Sequence, residues 1–344
     1  MTLDLPRARR CLQAATADIA SVSLCVRTPD GAGSFTAGLA RREPPRVATP
    51  DQRYDLASLT KALVGSSVAA ALAADGVLDV NAPVAEVLPG LDPRITASHL
   101  LGHSAGFPAW RPLYKAVTTP QTAGARRTIL DLARAEPVDR APGEDHVYSD
   151  LGFLVLCDLV ETLGGSRLDS LFQRHVLDVL GLKGPRFDGA GAAATERCPW
   201  RGRVVEGEVH DLNAWAMGGV SAHAGLFGSA SEVAALGAAL AFGENRICRT
   251  LQGWWERPGV GTHRGGWDRP TRGGYTSTGQ HFPDGTVGHL GYTGCSMWAV
   301  PARETVVVLL TNRVHEVDDL AAIRALRPAL HDAVAQDLGW AAGS

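Results

Sequence analysis

Ser58-Leu59-Thr60-Lys61 is the segment of this chain best equipped for chemistry. At a helix start, an S-x-x-K spacing puts the lysine one turn beyond the serine, on the same face. A hydroxyl is a weak nucleophile until a neighbour takes its proton. A lysine withdrawn from water can do this, because desolvation lowers its pKa toward neutrality. Two further motifs follow in the chain. Tyr148-Ser149-Asp150 lies between the Ala141-Pro142-Gly143-Glu144 loop and the apolar run Leu151–Leu156; its phenol can shuttle a proton when a nearby cation lowers its pKa. Gly288-His289-Leu290-Gly291-Tyr292-Thr293-Gly294 reads as a strand edge. Its small residues let a substrate approach the backbone, and its N–H groups could stabilise an oxyanion.

An isolated S-x-x-K is usually an exposed helix start. Here the helix that follows, through Val68-Ala69-Ala70-Ala71-Leu72-Ala73-Ala74, is apolar nearly all round and belongs inside the protein. It stops at Asp75-Gly76, a natural C-cap, and Lys61 carries the only charge between Asp55 and Asp75. Residues 8–20 read as an amphipathic helix. Ser21–Arg27 and Ser34–Leu39 read as a hairpin of strands about the Pro29–Gly33 turn. From about 80 to 180 the pattern is helical, with Pro- and Gly-rich breaks, and residues 184–228 read as a long ordered loop. Ser231–Leu240 is a further helix; Val287–His289, Cys295–Val300 and Thr305–Leu310 are strands, and Leu320–Leu338 is a closing amphipathic helix. Strands at both ends and helices between predict an α+β fold, one antiparallel sheet built from both termini with flanking helices and an inserted, mostly helical lobe. The expected organisation is a single catalytic domain, 1–344, with a sheet lobe of 1–75 plus 225–344 and a helical lobe of 76–224.

The 344 residues are 45% hydrophobic with a formal net charge of −3, so nucleic acid and acidic membrane surfaces are not expected partners. No apolar run reaches the roughly 18 residues a membrane helix needs, and Met1–Ala20 lacks the apolar core of a signal peptide. Cys11, Cys25, Cys157, Cys198, Cys248 and Cys295 have no C-x-x-C or metal-ligand spacing. Reduced core thiols and a cytoplasmic location are expected, or a periplasmic one if a leader has been trimmed away.

Together the three motifs resemble the serine β-lactamase and penicillin-binding-protein superfamily, in the class C-like branch that includes D-Ala-D-Ala carboxypeptidases and family VIII carboxylesterases. Asp55–Lys61 resembles its first motif, Tyr148-Ser149-Asp150 its Tyr-x-Asn, and Gly288–Gly291 its Lys-Thr-Gly or His-Thr-Gly strand. Leu100–Pro108 and Val209–Phe227 resemble its linking segments. The resemblance implies a β-lactamase-like (DD-peptidase) fold and a covalent acyl-enzyme on a small ester or amide, without metal or cofactor. Ser58 would be the nucleophile, Lys61 its base or proton partner, and Tyr148 the acid for the leaving group. The N–H groups of Ser58 and Tyr292 would form the oxyanion hole. His289, Leu290, Gly291 and Asp150 would line the substrate pocket. Asp150 stands where the family has Asn and cannot donate an amide hydrogen bond to substrate, but it can pair with Lys61, hold it charged and shift the base role toward Tyr148. Leu290 replaces Thr, and His289 in place of Lys leaves the strand without a permanent cation. These departures favour an esterase, amidase or acyltransferase over an efficient β-lactamase or carboxypeptidase.

Other readings are open to the same residues. Gly102-His103-Ser104-Ala105-Gly106 matches the G-x-S-x-G elbow of α/β-hydrolases, with Asp211 and His289 as triad partners; the elbow must follow a strand, and Ile95–Leu101 reads as a helix. His210, Asp211 and His223 match no standard metal spacing. Trp215, Trp298 and Trp254-Trp255 could line an acyl pocket or pack in the core. Cys295 reads as a core thiol. A non-catalytic binding module would account for Asp150 and Leu290, but not for intact Ser58, Lys61 and Tyr148.

Overall fold

The computed structural model describes residues 1–271, 273–317 and 320–340. Its elements run α1 (Pro6–Ala15), β1 (Ser21–Thr28), β2 (Gly31–Arg41), β3 (Arg46–Val47), β4 (Tyr54–Asp55), a π-helical turn Lys61–Ser66 leading into α2 (Ser67–Ala74), α3 (Ala97–Leu101), α4 (Ala123–Ala135), α5 (Asp150–Gly164), α6 (Leu168–Phe172) and α7 (Asp178–Leu180). There follow β5 (Arg197–Cys198), β6 (Arg203–Val204), α8 (Leu212–Ala216), β7 (Phe227–Gly228), α9 (Ala230–Phe242), α10 (Arg246–Trp255), β8 (Val287–Leu290), β9 (Ser296–Val300), β10 (Thr305–Thr311) and α11 (Leu320–Asp337). The expected first helix starts earlier, at Pro6, whose fixed φ suits a first turn. The expected loop 184–228 contains three short strands and a one-turn helix.

β1 and β2 from the N-terminal part and β8, β9 and β10 from the C-terminal part form one antiparallel sheet, ordered β3-β2-β1-β10-β9-β8. The register sets Leu24 opposite Leu309 and Val26 opposite Val307. Alternate side chains point to opposite faces. Val22, Leu24, Val26, Val307 and Leu309 therefore join Leu12 of α1 and Ile323 and Leu330 of α11 in one apolar cluster. Cys25, Val306, Val308 and Leu310 join Val233, Leu236 and Leu240 of α9 in another. Burial on both faces explains why β10 reads Val-Val-Val-Leu-Leu without polar alternation. The two ends of the chain are fastened together: the Asp337 carboxylate accepts the N–H groups of Arg7 (2.9 Å) and Ala8 (3.0 Å) at the start of α1.

The helical part packs around α2 and α5. Ser67–Leu72 of α2 and Leu151–Val160 of α5 are buried on every side, as helices without a polar stripe must be. Ser149 caps α5, accepting from Gly152 N at 3.1 Å. Among the described residues no helix is long and apolar enough to cross a membrane.

Candidate active site

The strand and helix that carry Ser58 are pinned from several directions. β4 pairs with β7, Tyr54 opposite Gly228 and Asp55 opposite Phe227. The buried Asp55 carboxylate accepts from Ala57 N (2.7 Å) and His210 N (2.6 Å). The first of these bonds holds Ala57 at φ 47°, a left-handed conformation unusual for alanine, immediately before Ser58. Lys61 N then bonds Ser58 O at 3.0 Å, which places the lysine one turn on.

Lys61 is completely buried, yet its ammonium has three acceptors: Ser58 Oγ at 2.9 Å, Asp150 Oδ1 at 2.6 Å and His223 O at 3.3 Å. The Tyr148 ring lies beside the same ammonium, its centroid 4.8 Å from Nζ. Ser58, Lys61, Tyr148 and Asp150, spread over 93 positions of sequence (58 to 150), therefore meet at one point. Burial pulls the Lys61 pKa down, but the Asp150 carboxylate and the Tyr148 oxygen outweigh it, and the net shift is upward. Of the two states expected for Lys61, a base freed by desolvation or a cation held by Asp150, the upward shift favours the cation. Burial and Asp150 raise the Tyr148 phenol above its ordinary pKa against the pull of Lys61, so it is held protonated rather than turned into a phenolate. Tyr148 is 36% exposed and lines the cleft beside Ser58 and Asp150.

β8 forms the opposite wall. Gly291 approaches the nucleophile strand so closely that a Cβ there would lie 2.6 Å from Leu56 O, so only glycine fits. Gly291 N bonds Cys295 O at 2.7 Å, and the Arg327 guanidinium of α11 donates to Gly291 O (2.9 Å) and Cys295 O (2.7 Å) from behind. Leu290 and Tyr292 line the cleft; Tyr292 is 55% exposed, stacks on His210 and lies under the Arg313 guanidinium. The cleft, of about 730 Å³, is also lined by Trp110, Glu196, Asp211, His223, His263, Asp268, Arg313 and Arg327. The expectation of a strand without a permanent cation concerns β8 alone; two guanidiniums reach the cleft wall from the end of β10 and from α11.

Beside this charged corner lies a group of histidines. His103, His263 and His289 are buried, with ring nitrogens within 4.8 Å of one another, and His146 Nε2 lies 3.0 Å from His263 Nδ1. Burial, then the nearby positive charge of Lys61, lowers His289 to about 3. Burial and neighbouring imidazoles hold His103 and His263 well below the ordinary value. The three rings make a poor metal centre. His289 is suited to one, since Nδ1 faces Leu290 O at 2.7 Å and leaves Nε2 bare. His103 is not: its Nδ1 accepts from Ser149 N at 3.0 Å, so its Nε2 carries the proton and has no lone pair for a metal. His210, Asp211 and His223 also fail to converge, because His223 Nε2 bonds Asp211 (2.8 Å) while His210 Nε2 turns to Glu196 (3.4 Å).

Ser104 follows the helix α3, not a strand, and lines a separate cavity with His99 and Arg264, which removes the elbow reading. Trp254, Trp255 and Trp298 are core residues and Trp215 packs on Arg201; the tryptophan that lines the cleft is Trp110. Cys295 is a buried thiol pushed up to about 11 by burial, which fits the core reading. Trp110, His263, Asp268, Arg313 and Arg327 have no local signal in sequence; each reaches the cleft through tertiary packing alone.

A family model described as Beta-lactamase matches residues 8–331. A putative D-alanyl-D-alanine carboxypeptidase from Salmonella schwarzengrund is 30% identical over 310 residues, covering 79% of this chain and 72% of that protein. Among solved structures, EstCE1, a hydrolase with promiscuous acyltransferase activity, superposes with a TM-score of 0.72 at 21% identity over 95% of this chain and 97% of its own. A class C beta-lactamase from Rhodobacter sphaeroides gives 0.73 at 19% identity over 96% of this chain and 99% of its own.

Proposed function

Since this chain belongs to the beta-lactamase family of serine hydrolases, we propose that it forms a covalent acyl-enzyme at Ser58 and hydrolyses small esters or amides. The observation that carries the reading is the Lys61 ammonium bonded at once to Ser58 Oγ (2.9 Å) and Asp150 Oδ1 (2.6 Å), with the Tyr148 ring centroid 4.8 Å from the same ammonium. The lysine cation stabilises the serine oxygen as it loses its proton. Ser58 Oγ attacks the carbonyl carbon, and the negative charge on the carbonyl oxygen falls to the N–H groups of Ser58 and Tyr292. The protonated Tyr148 phenol faces the departing group and hands it a proton. Water then takes the place of the leaving group and releases the acid. Cytoplasmic or periplasmic placement is compatible with this chemistry.

Arg313 and Arg327 on the cleft wall favour a second reading on the same nucleophile, a substrate bearing a carboxylate, as in a carboxypeptidase. A serine-directed phosphonate followed by peptide mass mapping tests the common step: the adduct is expected on Ser58 and absent after Ser58→Ala, which should also lower kcat by more than about a thousandfold. An adduct elsewhere refutes the proposal. Comparing neutral esters with D-Ala-D-Ala peptides and nitrocefin separates the two readings; turnover of nitrocefin at the rate of a dedicated lactamase would refute the ester and amide assignment.

A further inference from the structure

Resting on the acyl-enzyme reading above, we propose that Asp150 is the acceptor of the serine proton during acylation, with Lys61 as the relay that carries it there. An ammonium has three protons, and Lys61 has three acceptors for them, on Ser58, Asp150 and the His223 backbone. An ammonium so held has no lone pair with which to take a fourth proton. Ser58 can lose its proton toward Nζ only after Nζ has given one up and turned the freed lone pair to the serine. The shortest of the three contacts, 2.6 Å, leads to the Asp150 carboxylate, within the range of charge-assisted bonds.

The other groups that face this pair are poorer destinations. Tyr148 is raised in pKa and already carries a proton. His103 has its free proton on Nε2 and no vacant lone pair, since Nδ1 is used by Ser149 N. His289 has a bare Nε2, but burial and Lys61 hold it to about 3, so it is a weak base. His263 is likewise held well down, with His146 on its Nδ1. From the remaining side, His223 offers Lys61 a carbonyl, while its ring is bound between Ser221 (2.7 Å) and Asp211 (2.8 Å).

The protons balance. Nζ first gives a proton to Asp150 Oδ1 and turns the freed lone pair to Ser58, whose proton it takes as the serine oxygen bonds to the carbonyl carbon. Lys61 remains an ammonium, Asp150 becomes a carboxylic acid and the substrate oxygen takes the negative charge. When the tetrahedral intermediate collapses, the leaving group departs with the Tyr148 proton. The proton on Asp150 then returns through Lys61 to the Tyr148 oxygen, and the site is reset. Deacylation repeats the path with water in place of the serine hydroxyl. The carboxylate that stands where the resembling family has an amide is thus a working part of the relay.

The test is the pH profile of kcat/KM for the wild type, Asp150→Asn and Asp150→Glu, with phosphonate labelling of Ser58 in each. Asp150→Asn removes the acceptor and the charge that holds Lys61 protonated, so burial lowers the lysine and a neutral Lys61 must become the base. The acid limb is expected to move up by at least about two pH units, a hundredfold loss at the acid end that narrows in alkaline buffer. Asp150→Glu keeps a carboxylate and should restore the position of the wild-type limb even if kcat is reduced; it also serves if the amide variant folds poorly. A merely structural Asp150 would lower the rate without moving the limb. The proposal is overturned if the acid limbs of the wild type and Asp150→Asn coincide, or if wild-type kcat/KM climbs tenfold per pH unit between pH 6 and 8. Failure of wild-type Ser58 to label would instead remove the acyl-enzyme reading beneath it.

Discussion

The floor of the cleft buries a full positive charge on Lys61, whereas the wall beside it buries His103, His263 and His289 as neutral rings. Both regions are enclosed to a similar degree, so burial alone cannot explain the difference. Taking an ion out of water costs on the order of several kcal/mol even after relaxation. Lys61 offsets that cost with a carboxylate at 2.6 Å and two further acceptors. The nearest carboxylate to the histidines is Asp268, 3.6 Å from His263, and Lys61 acts on all three rings as a nearby cation. Burial is the main cause of the neutral wall, and the same cation that readies Ser58 adds to it. Burial favours the neutral form of every group here, and only Lys61 meets a partner strong enough to overturn it.

Removing the cation is the most direct way to break that comparison. Lys61→Met should lower kcat by a hundredfold or more, and it should release the wall: the His289 imidazole, freed from Lys61, is expected to titrate above about 3 in an NMR pH titration, in the direction that the lost repulsion dictates. If His289 does not move, the wall is neutral through burial only.

Tyr148→Phe sharpens the other half, the claim that the floor keeps its phenol protonated for use as an acid. The loss should be about a hundredfold on an alkyl ester or amide, whose leaving group must be protonated, and much smaller on a nitrophenyl ester, whose leaving group needs no proton. Equal losses on the two substrates would take the leaving-group role from Tyr148.

The smallest effect concerns the wall and stability. His103, His263, His289 and His331 are depressed when folded, His289 to about 3 and His331 to about 4. Between those values and the unfolded value near 6.5, the unfolded chain binds more protons than the folded one, so stability is present above about pH 6.5 and falls as pH falls. Each ring contributes a slope of up to about 1.4 kcal/mol per pH unit. His210, raised by Glu196, Asp55 and Asp211 against the effect of burial, offsets part of it. Urea unfolding at pH 5 and pH 7 checks the sign; greater stability at pH 5 would mean that the wall histidines are charged in the fold.

Much of this molecule was legible from residue order. The Ser58–Lys61 spacing, the apolar run through Ala74, the Tyr148 motif between a Pro-Gly loop and an apolar run, and the Gly288–Gly291 strand are local patterns, and local patterns set helix starts, burial and strand faces. With strands at both ends of the chain, they determined an α+β sheet closed by both termini and pointed to an acyl-transfer site. The protonation of that site was not legible. Lys61 and Asp150 lie 89 positions apart, His103 and His289 are carried by different elements, and Arg313 and Arg327 come from β10's end and α11. Whether a buried lysine is a base or a cation depends on what stands within 3 Å of it. That distance is set by how the helical part packs on the sheet, and no spacing in the chain contains it.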